Sequence, residues 1–204
     1  MTVYAARRAV SSGPAEELQM RWALTTPDDR VRGMFFLGVL EVIRNSVGTE
    51  AAEECLACTG ERRFVPFLMY PVAAFLHMSF RAASMLAPRK GGFDRAMRAI
   101  GAQATSDFLS SLVGRSFLML AASDPRRLVT NLPSGYRTVV SYGERHVTWS
   151  GPSSGCLRVA RDFMPHTYHE GVLQAVLEAI GTQCPMVHGK ATGLLDCDYS
   201  LSWE

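Results

Sequence analysis

Apolar and polar positions change period near residue 131. Before it, apolar residues recur at helical spacing; beyond it they alternate. "TTPDDRVRGMFF" predicts a helix start, with Thr26 as N-cap, Pro27 in the first helical position and Asp28 and Asp29 in the first turn. The capping oxygen satisfies an orphan amide, and the carboxylates suit the positive end of the helix dipole. This helix runs to about Ser46 and stops at Gly48. Gly33 and Gly38 within it cost helix stability, which predicts close packing of a neighbour there. A short helix follows from Thr49 to about Cys58, and a third runs from Pro71 to Pro88. Helical pieces at Phe93–Ile100, Ser106–Val113 and Arg115–Ala122 are separated by Gly101 and Gly114. Asp124 begins a last turn of helix, followed by a loop.

In the second half, "YRTVVSY", "RHVTWS" and "CLRVARDF" read as strands, with Gly143 and Gly155 in the turns between them. "HEGVLQAVLEAIG" returns to helical period, with Val172, Leu173, Val176, Leu177 and Ile180 on one face and Gly181 as its stop. "CPMVHG" and "CDYSLSW" read as a final pair of strands; Cys197, Tyr199, Leu201 and Trp203 share one face of the last. Helices followed by strands predict an α+β domain: an N-terminal helical layer packed on a C-terminal antiparallel sheet with one inserted helix. We expect one domain over 1–204, with an N-terminal segment 1–25, a helical part 26–131 and a strand-rich part 132–204.

Composition narrows the function classes. Hydrophobic residues make up 48% and charged residues 20% of 204, which is globular and not disordered. A net charge of +2 implies no nucleic-acid surface. Only Lys90 and Lys190 of the 21 basic residues are lysine, which reads as a coding bias. The Arg7-Arg8, Arg62-Arg63, Arg89-Lys90 and Arg126-Arg127 pairs are scattered and suit solvated helix ends. Phe64–Phe80, the longest apolar stretch, falls short of the roughly 20 residues a bilayer core needs. No secretory signal is visible, and five cysteines, an odd number, fit a reducing compartment. The expected location is the cytoplasm.

Candidate chemistry is sparse. "CLAC" places Cys55 and Cys58 on one helix face, but structural zinc needs four ligands and no second pair stands at suitable spacing. Both are expected as small buried hydrophobes. "HTYH" places His166 and His169 three apart, the spacing of a metal pair on one helix face, with His146, His188 and Asp162 as further candidates. Pro165 puts His166 at or before the helix start and works against that geometry. "GPSSG" lacks the nucleophile elbow, Ser153 and Ser154 have no evident base, and no phosphate loop is present. The expectation is no enzyme, no resident cofactor and no metal.

"VRGMFFLGVLEVI", "YPVAAFL", "GFDRAMRAIGAQATSDFLSSLVGR" and "GLLDCDYSLSW", in that order, resemble a family largely confined to myxobacteria, of uncharacterised function and about this chain's length. The resemblance covers about residues 28–204. From Tyr168 on, the chain also resembles a wider superfamily of haem NO-binding domains, vinyl-reductase-type small-molecule-binding domains and transport-particle (TRAPP) subunits. That resemblance implies a ligand pocket between helices and sheet. His77 is the one histidine in the apolar run "YPVAAFLHMSFRAAS". Helical spacing puts it on a polar stripe with Arg81 and Ser84, which is the wrong face for a haem ligand. The propionate-binding motif of tyrosine, serine and arginine found in haem-binding relatives is not visible here.

The favoured reading is a non-catalytic small-molecule-binding or sensory domain with an apolar pocket. Its wall candidates are Phe35, Phe36, Leu40, Phe67, Tyr70, Phe75 and Phe80, with Trp149 or Trp203 from the sheet. Taken singly, each of them suits plain core better. The ligand would be a small apolar molecule, and the partners a second copy of the chain or a signalling protein. The rival reading is an interaction module without ligand, marked by an exposed apolar patch on the Pro71–Leu86 helix. A metal- or haem-dependent protein built on the histidines ranks third.

Overall fold

The structure, a computed structural model, describes residues 13–204; the Arg7-Arg8 pair and the rest of residues 1–12 of the N-terminal segment lie outside them. The helices are α1 (Pro14–Trp22), α2 (Gly33–Ser46), α3 (Thr49–Ala57), α4 (Val72–Lys90), α5 (Phe93–Ser110), α6 (Leu112–Ala121), α7 (Pro125–Arg137) and α8 (His166–Ala179). The strands are β1 (Arg30–Arg32), β2 (Met69–Pro71), β3 (Glu144–Gly151), β4 (Ser154–Ala160), β5 (Met186–Ala191) and β6 (Cys197–Ser202). N-terminal helices pack against a four-stranded antiparallel sheet of order β3-β4-β6-β5, with α8 inserted between β4 and β5. β1 and β2 form a separate antiparallel ribbon.

The terminal strand is central in this sheet. Tyr199 pairs with Leu157 on β4 and with Gly189 on β5, and the inward residues Cys197, Tyr199 and Leu201 are buried. Alternation alone predicts that placement, because one face must meet the helical layer.

Four local expectations are corrected. The Thr26–Asp29 segment does not start α2. The Asp29 carboxylate accepts from the Thr26 amide at 2.8 Å and hydroxyl at 2.9 Å and pairs with the Arg161 guanidinium, which closes a turn. α2 begins at Gly33, after β1. Gly101 does not break α5, which runs through it, and the chain breaks at Ser111 instead of Gly114. α7 is a full helix, because Leu128, Val129 and Leu132 bury one face along it. It absorbs the start of "YRTVVSY", which is no strand; Val140 makes only an isolated bridge to Val31. The β3–β4 turn falls at Pro152 and Ser153, and Gly155 lies inside β4.

Gly101 survives in α5 because α8 crosses it at backbone distance. A methyl group on Gly101 would lie 2.0 Å from the Tyr168 carbonyl oxygen. The contact is reciprocal: a methyl group on Gly171 of α8 would lie 2.0 Å from the Arg98 carbonyl oxygen. The Thr105 hydroxyl adds a hydrogen bond at 3.2 Å to the Val172 carbonyl. A glycine in a helix costs about 1 kcal/mol relative to alanine; here close packing of two helix backbones requires it.

Two buried clusters meet across this pair. One joins α2 to α5 with the ribbon; the other joins α6, α7 and α8 to the sheet. Gly171→Ala should lower stability by about 1–3 kcal/mol despite alanine's better helix propensity, since the new methyl meets backbone that cannot rotate away. Urea unfolding measures this; an unchanged or raised midpoint would show that α5 and α8 are not in close contact.

Candidate ligand cavity

A cavity of about 70 Å³ lies at the seam between the two clusters. Phe35 of α2 and Phe75 of α4 wall it from the first cluster, and Phe117 of α6 and Val176 of α8 from the second. Phe108 near the end of α5 closes the seam, with its ring 6.1 Å from that of Phe117. The wall it presents is apolar.

Beneath that wall is a buried polar cluster. Arg145, Asp162 and His169 side chains are each 5% exposed or less. β3 alternation turns Arg145 inward beside Val147 and Trp149, and Asp162 follows β4 just before α8. Asp162 forms an ion pair with Arg145 and accepts from the Met164 amide at 3.0 Å. His169 Nε2 lies 2.9 Å from Asp162 Oδ1, close but poorly aligned for a hydrogen bond. Its Nδ1 is 3.0 Å from the Tyr136 hydroxyl, and the Arg145 guanidinium sits 4.2 Å over the Tyr136 ring. Burial alone would raise the Asp162 pKa. Interaction with the His169 imidazole and the Arg145 guanidinium, and the Met164 amide, outweigh it and hold the carboxyl well below the usual range. Burial pushes the Tyr136, Tyr142 and Tyr168 hydroxyls up, so all three stay neutral.

Of the sequence-predicted wall residues, Phe35 and Phe75 reach the cavity. Phe36 stacks on Phe64 at 4.1 Å inside the helical core, where Leu40 is also buried. The Tyr70 hydroxyl accepts from the Val65 amide at 2.9 Å. Phe80 packs on Phe93 at 5.3 Å. Phe67 is 68% exposed on the loop before β2, too far from any apolar layer to be covered. Trp149 and Trp203 meet edge to face at 6.0 Å against the second cluster, with Arg126 over Trp149 at 4.2 Å. His166 and His169 diverge: His169 faces the cavity, whereas His166 lines a separate small hollow beside Arg21 and Asp196. His146 and His188 are exposed. Among the described residues, no three His, Cys, Asp or Glu side chains stand close enough to hold a metal ion.

The cysteine pair is split. Cys55 is buried with its sulfur 3.7 Å from that of Met85, and burial raises its pKa to about 11. Cys58 caps α3 and is exposed, because the helix ends there and no layer covers it. His77 lies on the exposed stripe with Arg81 and Ser84, against the edge of Trp22. The rest of α4 from Val72 to Ala87 is buried or half-buried, so the patch expected on that helix is not there.

The family model described as "Protein of unknown function (DUF2378)" matches residues 24–204. The chain belongs to that family. Among curated protein sequences, none matches this one. Solved structures with the same fold include an Fe(II) unliganded H-NOX protein from K. algicida, 11% identical with a TM-score of 0.68 over 85% of this chain and 96% of that one. Another is an H-NOX protein from S. oneidensis in the Fe(II)NO ligation state, 14% identical with a TM-score of 0.64 over 85% and 99%. At such identity the likeness shows the fold alone.

The H-NOX structures of this fold imply a haem, and the residues here do not fit one. His169 is the one imidazole lining the cavity, and both its nitrogens face protein oxygens, Tyr136 on one side and Asp162 on the other. The void is also well under the roughly 300–1,000 Å³ of sites for drug-sized ligands.

Asp162 carries the pH prediction. Its folded-state pKa is depressed, so its contribution is present above the unfolded value of about 3.9 and is lost as pH falls through the folded value. Asp162→Asn should cost roughly 3–5 kcal/mol near neutrality, because it leaves the Arg145 charge buried and unpaired. The stability gap between wild type and variant should narrow as pH drops below about 4. Urea unfolding across pH checks this; a gap independent of pH would contradict the pairing.

Proposed function

We propose that this chain is a non-catalytic sensory domain that binds a small apolar molecule in the seam cavity. One observation carries the reading: the void presents an apolar wall, and the ionisable side chains at its edge, Asp162 and His169, face protein partners. A reaction needs a charged or nucleophilic group aimed at a substrate. Here Arg145, Asp162, His169 and Tyr136 are engaged among themselves. A dry engineered cavity of about 150 Å³ takes benzene or xenon, so a void of about 70 Å³ suits a guest of a few heavy atoms, or a larger one if α6 and α7 yield. The H-NOX-like fold supports a sensor and leaves the ligand open. A signalling protein that reads the occupied state is the expected partner.

A saturating small apolar guest such as chloroform should raise the melting temperature of the purified protein. Ala104→Leu on α5 and Val176→Phe on α8, which add bulk at two lining positions of the void, should each abolish that shift while the domain stays folded. A shift that survives both substitutions would place the guest elsewhere, and no shift with any small guest would remove the reading. Added haemin should give no saturable Soret band. A stoichiometric band lost in His169→Leu, or in His77→Ala, would overturn the haem-free assignment.

A further inference from the structure

The outer face of α6 belongs neither to the cavity nor to the core. Gly114, Phe117 and Ala121 bury the inner face of this ten-residue helix. Outward, Leu112 is 83% exposed, Met119 80%, Leu120 70% and Val113 51%. Leu112, Ser116, Met119 and Leu120 are spaced i, i+4, i+7 and i+8, so they form one ridge. Scattered exposed apolar residues need no explanation, but a ridge of them does.

Charge tells what meets this ridge. From the start of α6 to the end of α7 the chain carries four arginines, Arg115, Arg126, Arg127 and Arg137, against Asp124, with Asp107 and Glu144 outside the two helices. That segment has a net charge of +3, although the whole chain is only +2. All four arginines are exposed, and α7, which carries three of them, packs on α6. Arg127 reaches Asp124 at 3.4 Å, Arg126 donates to the Gly151 carbonyl at 2.8 Å and Arg137 donates to the Ser134 hydroxyl at 2.9 Å. Arg115, on α6 itself, makes no ion pair with the described residues.

We propose that α6 and α7 form a membrane-surface docking site, with the α6 ridge seated among the acyl chains of an anionic bilayer and the arginines at its headgroups. Large apolar side chains beside cations and almost no acids are what binding at an anionic interface requires. A protein partner is less suited. A stable protein interface covers about 800 Å² per side with matched shape, and the apolar ridge, confined to the ten-residue α6, supplies only part of it. A lipid surface needs no shape match. Among the described residues no helix is long and apolar enough to cross a membrane, so contact would be peripheral. The proposal does not depend on what fills the cavity.

The test is co-sedimentation of the full chain with vesicles. Equal parts phosphatidylglycerol and phosphatidylcholine should bind it, and phosphatidylcholine alone should bind it at least roughly ten-fold more weakly. Added salt should weaken binding to the anionic vesicles. Met119→Glu with Leu120→Glu, and separately Arg115→Glu with Arg127→Glu, should each reduce that binding by a similar factor. All four residues are exposed, and circular dichroism confirms that the variants fold. Failure of wild type to bind anionic vesicles would overturn the proposal, as would binding that both double variants retain. A concentration-dependent dimer in light scattering, abolished by Met119→Glu with Leu120→Glu, would assign the ridge to a second copy and also overturn it.

Discussion

The contact of α5 with α8, backbone to backbone at Gly101 and Gly171, is the constraint on which the rest of the structure depends. It ties the helical cluster to the cluster built on the sheet. It also fixes the start of α8, and so the positions of Tyr168 and His169 at the seam. Side chains larger than hydrogen at either glycine would push the helices apart by their backbones, which no rotamer change relieves. The cavity follows from this. Two cores meet along a line set by backbone contact, and the aromatic rings of α2, α4, α5 and α6 do not fill the space beside it.

Electrostatics then decides what the cavity can hold. Bringing Arg145, Asp162 and His169 out of water carries a penalty that only mutual pairing offsets. The pairing is achieved between β3, the end of β4 and the first turn of α8, so three elements are locked together by it. The same pairing turns these groups toward one another. An imidazole held between a phenol and a carboxylate is a poor metal ligand and a structural anchor. The fold fixes where the seam lies, and the local residues decide what enters it.

Much of the fold was legible because its cause is local. Alternation in "CDYSLSW" placed Tyr199 and Leu201 inward, and helical spacing placed His77 on the solvent side of α4. Gly101 and Gly114 misled because a glycine inside a helix has two meanings, a break or a close neighbour, and only the partner's backbone distinguishes them. α7 was hidden by Pro133 and Gly135, whose helical cost is met by burial of Leu128, Val129 and Leu132. The cavity was half legible. Phe35 and Phe75 announced themselves as apolar, but Phe108, Phe117 and Tyr136 join them only through tertiary packing. The buried cluster did leave one sign: Arg145 shares a strand face with Val147 and Trp149, and an inward arginine demands a carboxylate.

The central claim is that the seam between the two clusters is a dry apolar site. A crystal of the protein under xenon pressure tests it most directly, since xenon occupies apolar voids and scatters strongly. One xenon atom bounded by Phe35, Phe75, Phe117 and Val176 is expected. Ordered water there, hydrogen-bonded to Tyr136 or His169, or a seam closed by side chains with no density at all, would contradict it.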